Sequence, residues 1–242
     1  VIDSSQPQSF GPLGIGGRGD ELYTVCFSDI SAVVSNAPIK KYRVSRENSL
    51  AHEKAIEKVM TQNAALPVRF ATIAEDEEKV KRILEREHDK FRDLLDSVKN
   101  KTELGLKAIF NEMVIYKDIL EKYEDIRLLK EKIATLAPEK SQYHRMEIGK
   151  MVEEALQREK WFVREDILNT LSPLAVEVRT NDTYGDLMII NAAFFVERAK
   201  ETDFDQQVQQ LGDKYREKVT FKYIGALPPF NFVNISINTE DY

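Results

Sequence analysis

Tyr223-Ile-Gly-Ala-Leu-Pro-Pro-Phe-Asn-Phe-Val-Asn-Ile-Ser-Ile-Asn238 constrains this chain more than any other segment. A strand-like segment, Val219 to Ile224, stops at Gly225. Pro228 and Pro229 then forbid helix and remove two backbone donors. An aromatic segment follows, in which Val233, Ile235 and Ile237 alternate with Asn234, Ser236 and Asn238, the period of a half-buried strand. The expectation is a packed corner between two strands near the end of the chain.

Working outward, the second half of the chain mixes long helices with strands. Apolar residues recur at helical spacing over 117–135 (Ile119, Leu120, Tyr123, Ile126, Ile133). They do so again over 139–171, with Pro138 between the two runs where a helix can begin. Leu174 to Arg179 and Leu187 to Val196 read as two strands joined across Asn181-Asp-Thr-Tyr-Gly-Asp186. Residues 203–217 read as a helix capped by Asp203 or Thr202.

In the first half, residues 6–20 read as a loop rich in Gly, Pro, Gln and Ser. Leu22 to Phe27 and Ile30 to Val34 read as a hairpin about Ser28-Asp29. A helix is expected over 45–63, a strand over Leu66 to Ile73, one helix over 75–98 and a strand over Leu104 to Phe110. The order β-β-α-β-α-β is that of a split β-α-β sandwich of the ferredoxin-like type. The fold class expected is α+β in two domains. Residues 1–114 form the ferredoxin-like one, and residues 115–242 form an α+β domain with a long helical hairpin. The chain opens on Val1 rather than Met, and Val1-Ile2 reads as the stub of a strand.

Composition narrows function by exclusion. The 242 residues are 42% hydrophobic and 31% charged with a net charge of -6, ordinary for a folded chain and unfavourable for phosphate binding. No nucleic-acid partner is expected. The single Cys26 permits neither an internal disulfide nor a multi-cysteine zinc site, and suits a reducing compartment. The longest apolar run, Leu187 to Val196, is too short for a membrane span and contains Asn191. No signal peptide is read at the start.

The candidate motifs are weak as chemistry. Gly14-Ile-Gly-Gly-Arg-Gly19 has the spelling of a dinucleotide fingerprint but neither the strand before it nor the helix after it, so a turn-forming loop is expected. His52, His88 and His144 are too dispersed for a metal site. His52 shares the apolar stripe of its helix and is expected to be packed and hydrogen-bonded. Acidic runs such as residues 75–78 read as solvated faces at a helix start. Arg69, in the apolar strand expected over Leu66 to Ile73, calls for a carboxylate partner such as Glu103 or Glu53. No catalytic residue, cofactor or metal is assigned. A second class of reading remains, a ligand-binding or enzymatic protein with an interdomain pocket lined by His52, Arg69 and Glu103.

Three blocks of sequence together resemble the gas vesicle protein F/L family. The first is Gly14-Ile-Gly-Gly with Tyr23-Thr-Val and Ile30-Ser-Ala-Val-Val-Ser35. The second is His52 with Leu66-Pro-Val-Arg-Phe-Ala-Thr72 and Thr102-Glu-Leu-Gly-Leu-Lys107. The third is Asn191-Ala-Ala-Phe-Phe-Val-Glu-Arg198 with Gly225-Ala-Leu-Pro-Pro-Phe-Asn-Phe-Val233. The match spans nearly the whole chain. It departs at Ala71, where the family often has Gly, and at Ala226-Leu-Pro-Pro-Phe-Asn-Phe232, where it often has Pro-Trp-Pro-Pro-Tyr-Ser-Phe. The resemblance implies a non-enzymatic accessory protein of gas vesicle assembly, and so of buoyancy. Its implied partners are the small hydrophobic shell protein and other gas vesicle accessory proteins. It would act as an adaptor or chaperone, in the cytoplasm or at the gas vesicle, or be retained as a minor wall component. A subunit that builds a gas-facing wall exposes apolar surface before assembly and needs cover. The contact residues expected are Arg69, Phe70, Pro228, Pro229, Phe230 and Phe232. The helices over 117–171 are a further candidate, as a groove for a partner helix.

Overall fold

The computed structural model describes residues 1–15, 18–136, 138–235 and 237, without the side chains of 138–140. The middle of the Gly14–Gly19 loop, Gly16 and Gly17, lies outside the described residues, as do Ser236 and Asn238 of the C-terminal run. The chain divides into two compact units. One comprises Val1–Glu103, Glu197–Ala199 and Gly225–Tyr242, the other Leu104–Val196 and Lys200–Ile224.

In the first unit, β1 (Ser9–Gly11), β2 (Leu22–Phe27) and β3 (Ile30–Ser35) form an antiparallel sheet in that order. The hairpin register pairs Phe27 with Ile30 and Leu22 with Ser35. Ser28 takes a left-handed φ of 53° at its turn. The predicted loop over 6–20 therefore contributes a short strand. Within it Gly14 donates to the Asp20 carbonyl at 2.9 Å. A Cβ on Gly14 would sit 2.8 Å from the Asp20 Cβ, a distance that only glycine avoids. Helix α1 (Arg46–Met60) starts at Ser45, whose hydroxyl accepts from the Asn48 N–H. The single helix expected over 75–98 is two. Asp76 caps α2 (Glu77–Arg86), and α3 (His88–Val98) follows after Glu87, whose ψ of 12° leaves the helical region. The apolar stripe continues across the break through Ile83, Leu84, Phe91 and Leu95, all buried, so the periodicity gives no sign of it.

The strand expected over Leu66 to Ile73 does not form. Ala65 makes an isolated bridge with Ile2 and Leu66 exchanges two backbone hydrogen bonds with Val1; beyond Leu66 the chain leaves this pairing and reaches a turn at Phe70-Ala71, where the Thr72 N–H returns to the Arg69 carbonyl. Pro67 has no N–H for a ladder, and Ala71 has a left-handed φ of 60° that a strand cannot hold. The stub expected at Val1-Ile2 is present: Ile2 bridges both Ser31 and Ala65.

In the second unit the sheet order is β5-β6-β4-β7, with β4 Lys101–Phe110, β5 Ala175–Thr180, β6 Met188–Glu197 and β7 Val219–Leu227. The α+β class holds. The split β-α-β arrangement does not, because β4 joins this four-stranded sheet rather than the β2–β3 hairpin. The run over 117–135 is broken into α4 (Glu112–Lys122) and α5 (Glu124–Thr135) at Tyr123, whose ψ of 96° is extended. The Tyr123 hydroxyl donates to Glu159 of α6 (Pro138–Leu171). That carboxylate is 4% exposed and also receives Lys122 and Lys218. Burial alone would raise its pKa, but the two ammonium groups hold it below the usual carboxylate value. Helix α7 (Glu201–Tyr215) has its N-cap at Lys200, ahead of both expected caps, Thr202 and Asp203, and no side chain caps it. The core joins Leu104 and Leu106 of β4, Ile115 and Ile119 of α4, and Ile167 and Leu171 of α6 to Phe194 of β6 and Phe204 of α7.

Candidate functional site: the proline–aromatic corner

After β7 the chain reaches Pro228 and Pro229, both buried. The expected second strand is replaced by a tight turn. Phe230 donates to the Pro228 carbonyl at 2.7 Å, and Phe232 and Val233 donate to the Pro229 carbonyl at 3.1 and 2.9 Å. Two prolines fix φ and supply two free carbonyls, which the next residues use at once. Val233 and Ile235 are buried and Asn234 is exposed, so the alternation seen in the sequence marks burial without a ladder.

One carboxylate holds this turn. Glu103, 2% exposed, accepts from the Asn231 backbone N–H at 2.9 Å and from its Nδ2 at 2.6 Å. A buried carboxylate needs donors, and Asn231 provides two from 128 residues away in sequence. With Asn231 pinned and the prolines buried, the neighbouring Phe230 ring is left 45% exposed while Phe232 is half-buried. The arrangement presents an aromatic side chain from a fixed backbone. Exposed apolar surface held in that way suits contact with another molecule.

The other expected contact residues lie elsewhere in the unit. Arg69 is exposed and makes no ion pair among the described residues, so the carboxylate partner expected for it is absent. The strand that would have buried it never forms. Phe70 is half-buried and meets the His52 ring edge-on at 5.7 Å. His52 Nε2 lies 3.2 Å from the Val68 carbonyl, and burial pushes its pKa down. His52 and Arg69 both line a cavity of about 360 Å³ in this unit, but Glu103, the third member of the expected pocket, does not. None of Pro228, Pro229, Phe230 and Phe232 lines it either. Sequence reasoning passed over Asn231. The available signal was Glu103 itself, a lone acid between Thr102 and Leu104 in an apolar strand.

Among the described residues no group of three or more His, Cys, Asp or Glu side chains is placed to hold a metal. No helix among them is long and apolar enough to cross a membrane.

The family model described as gas vesicle synthesis protein GvpL/GvpF matches residues 1–234. Gas vesicle protein F of Nostoc sp. is 26% identical over 218 residues, covering 89% of this chain and 88% of that protein. Gas vesicle protein F of Streptomyces sp. is 27% identical over 237 residues, covering 96% and 97%. The crystal structure of the gas vesicle protein GvpF from Anabaena sp. superposes with a TM-score of 0.79 at 25% identity, over 97% of this chain and all of that one. That of GvpF from Microcystis aeruginosa gives 0.68 at 21% identity, over 95% and 99%, a likeness of fold. With a sequence match along nearly its whole length and a shared fold, the chain belongs to the gas vesicle synthesis protein GvpL/GvpF family.

Proposed function

We propose that this protein, whose family serves gas vesicle formation, acts there as a non-enzymatic adaptor. It binds the small hydrophobic shell protein and hands it on during assembly, in the cytoplasm or at the nascent vesicle. The observation that supports this reading is the proline–aromatic corner. Phe230 is presented to solvent by a turn that buried prolines and the Glu103–Asn231 bonds hold in place. A preformed aromatic contact binds with little ordering cost, which suits repeated capture and release of an apolar subunit. Arg69, exposed on the same unit, supplies a cationic contact beside Phe70. Other accessory proteins of the vesicle are further partners.

Keeping purified shell protein in solution with and without this chain tests the reading. An adaptor lowers the aggregated fraction in proportion to its own concentration. An unchanged aggregated fraction across a tenfold range of adaptor refutes it. Washing and floating intact vesicles separates a transient adaptor, which is lost, from a minor wall component, which is retained.

A further inference from the structure

Strand β5 ends its sheet, and its outer edge pairs with no strand among the described residues. Its register with β6 sets which groups face outward. The Asn181 N–H donates to the Asn191 carbonyl at 2.7 Å, so these two are a hydrogen-bonded pair. The pairs Arg179–Ala193 and Glu177–Phe195 follow at steps of two, and by alternation their backbone groups turn toward β6 as well. Val178 and Thr180 therefore turn their N–H and C=O groups to the open edge. The register shifts between Ala175 and Glu177, so Glu177–Thr180 is a regular stretch of edge. Four of the six β5 residues are exposed, Val176 among them at 56%.

An open edge invites another strand, and charges of one sign along it are a common guard. On β5 the signs differ. Glu177 and Arg179 flank Val178, are both exposed and pair with each other at 2.8 Å. An antiparallel β5 of a second copy, centred on Val178, sets Glu177 opposite Arg179 twice, once on each side of the twofold axis. These are the non-hydrogen-bonded positions of the new ladder, where opposed Cα atoms come within about 4.5 Å and side chains meet. The two Val178 residues face each other as a hydrogen-bonded pair, one bond in each direction. Val176 lies beside Thr180, a pairing of β-branched residues that covers an exposed valine. A parallel strand in register would set Glu177 against Glu177 and Arg179 against Arg179. The order Glu-Val-Arg thus selects one orientation and one register, and a second copy supplies the matching charges by symmetry.

We propose that β5 is a self-association edge, at which two copies of this chain join their four-stranded sheets antiparallel about Val178, with Glu177 of each paired to Arg179 of the other. The interface is small, in the class below about 1,200 Å² of buried surface, so the dimer is weak and forms at high local concentration. The inference goes beyond the adaptor reading and does not depend on it.

The test is sedimentation equilibrium of the chain from about 10 μM to about 1 mM, the range of weak association, read together with amide hydrogen exchange at Val178 and Thr180. The mass is expected to rise toward twice the monomer's, with exchange at both amides slowed severalfold at the high end. Glu177→Arg and Arg179→Glu, each alone, set like charges opposite one another and are expected to weaken the dimer at least tenfold. An equimolar mixture of the two variants restores it, as does the double change in one chain, because each then meets opposite charge. Val178→Pro removes the N–H at the centre of the edge, where a sheet tolerates proline, and is expected to stay monomeric with a Tm near the parent's. A parent that is monomeric throughout overturns the proposal. So does a dimer indifferent to the single charge reversals, or one whose Val178 and Thr180 amides stay unprotected. Shell-protein capture by a monomeric parent that is lost with Val178→Pro would assign the edge to a foreign strand and equally overturn it.

Discussion

Replacing Glu103 tests how the corner is held. The Glu103→Ala change removes the acceptor for two donors of Asn231, at 2.9 and 2.6 Å, in a site where the carboxylate is 2% exposed. Two bonds to a charged group are worth roughly 1.5–3 kcal/mol each, about 3–6 kcal/mol gross. Relief from keeping a carboxylate buried returns part of that, leaving a net loss of about 2–4 kcal/mol. Glu103→Gln keeps one carbonyl acceptor but sets an amide NH₂ against one of the Asn231 donors, so about 1–2 kcal/mol is expected to be lost. Denaturant unfolding of the two variants beside the parent gives the stability order. Capture of the shell protein, measured on the same samples below the transition, reports whether Phe230 remains in place. A loss within about 0.5 kcal/mol for Glu103→Ala, the scale of an unremarkable surface change, would refute the claim that this carboxylate fixes the turn.

Three further outcomes are expected. Phe230→Ala removes a ring that is already 45% exposed, so stability should fall by only about 1–2 kcal/mol rather than the 3–5 of a buried phenylalanine, while shell-protein capture drops severalfold. Ala71→Gly relieves a left-handed φ of 60° and should raise stability by up to about 1 kcal/mol after the entropy of glycine is subtracted, read as a shift in denaturant midpoint. His88 Nε2 lies 2.7 Å from Asp29 Oδ1, with Asp89 and Arg92 as the neighbouring charges. Bonding to Asp29 and then to Asp89 raises the His88 pKa, and bonding to His88 lowers that of Asp29. A raised folded pKa contributes stability that is complete below about 6.5 and is lost as pH rises through the folded value. The Asp29 contribution is present above 3.8 and is lost as pH falls through its lowered value. Unfolding measured from pH 6 to 9 should therefore decline more for the parent than for His88→Gln, and parallel curves would contradict the pairing.

What the sequence made legible follows from what side-chain period reports. The β2–β3 hairpin and α1 appear where alternation, helical spacing and a Ser45 cap announce them. The helical patterns over 75–98 and 117–135 carry no sign of their breaks. At Glu87 and Tyr123 the backbone departs from helix while the apolar stripe continues, and period alone is blind to that. The alternation of Leu66, Val68 and Phe70 suggests a strand, yet only Leu66 pairs, with Val1, and the left-handed φ of Ala71 turns the chain before Ile73. In the C-terminal run the alternation was real as burial of Val233 and Ile235 and misleading as hydrogen bonding. The allegiance of β4 to the second sheet is a long-range pairing that a local reading of order assigns to the nearest hairpin. Of the candidate site, the prolines and phenylalanines stood out because few segments combine them. The Glu103–Asn231 bonds did not, because a polar contact across 128 residues leaves no trace in either neighbourhood. A buried strand would make Arg69 need a carboxylate; exposed outside any strand, it does not.

The most direct test of the adaptor account is co-expression of this chain with the small shell protein, followed by affinity capture from the soluble fraction, with Phe230→Ala run beside it. The account expects shell protein in the captured fraction, a larger soluble share of it than when it is expressed alone, and a severalfold loss of both with Phe230→Ala at near-unchanged stability. A folded chain that leaves the shell protein wholly insoluble and uncaptured would contradict it.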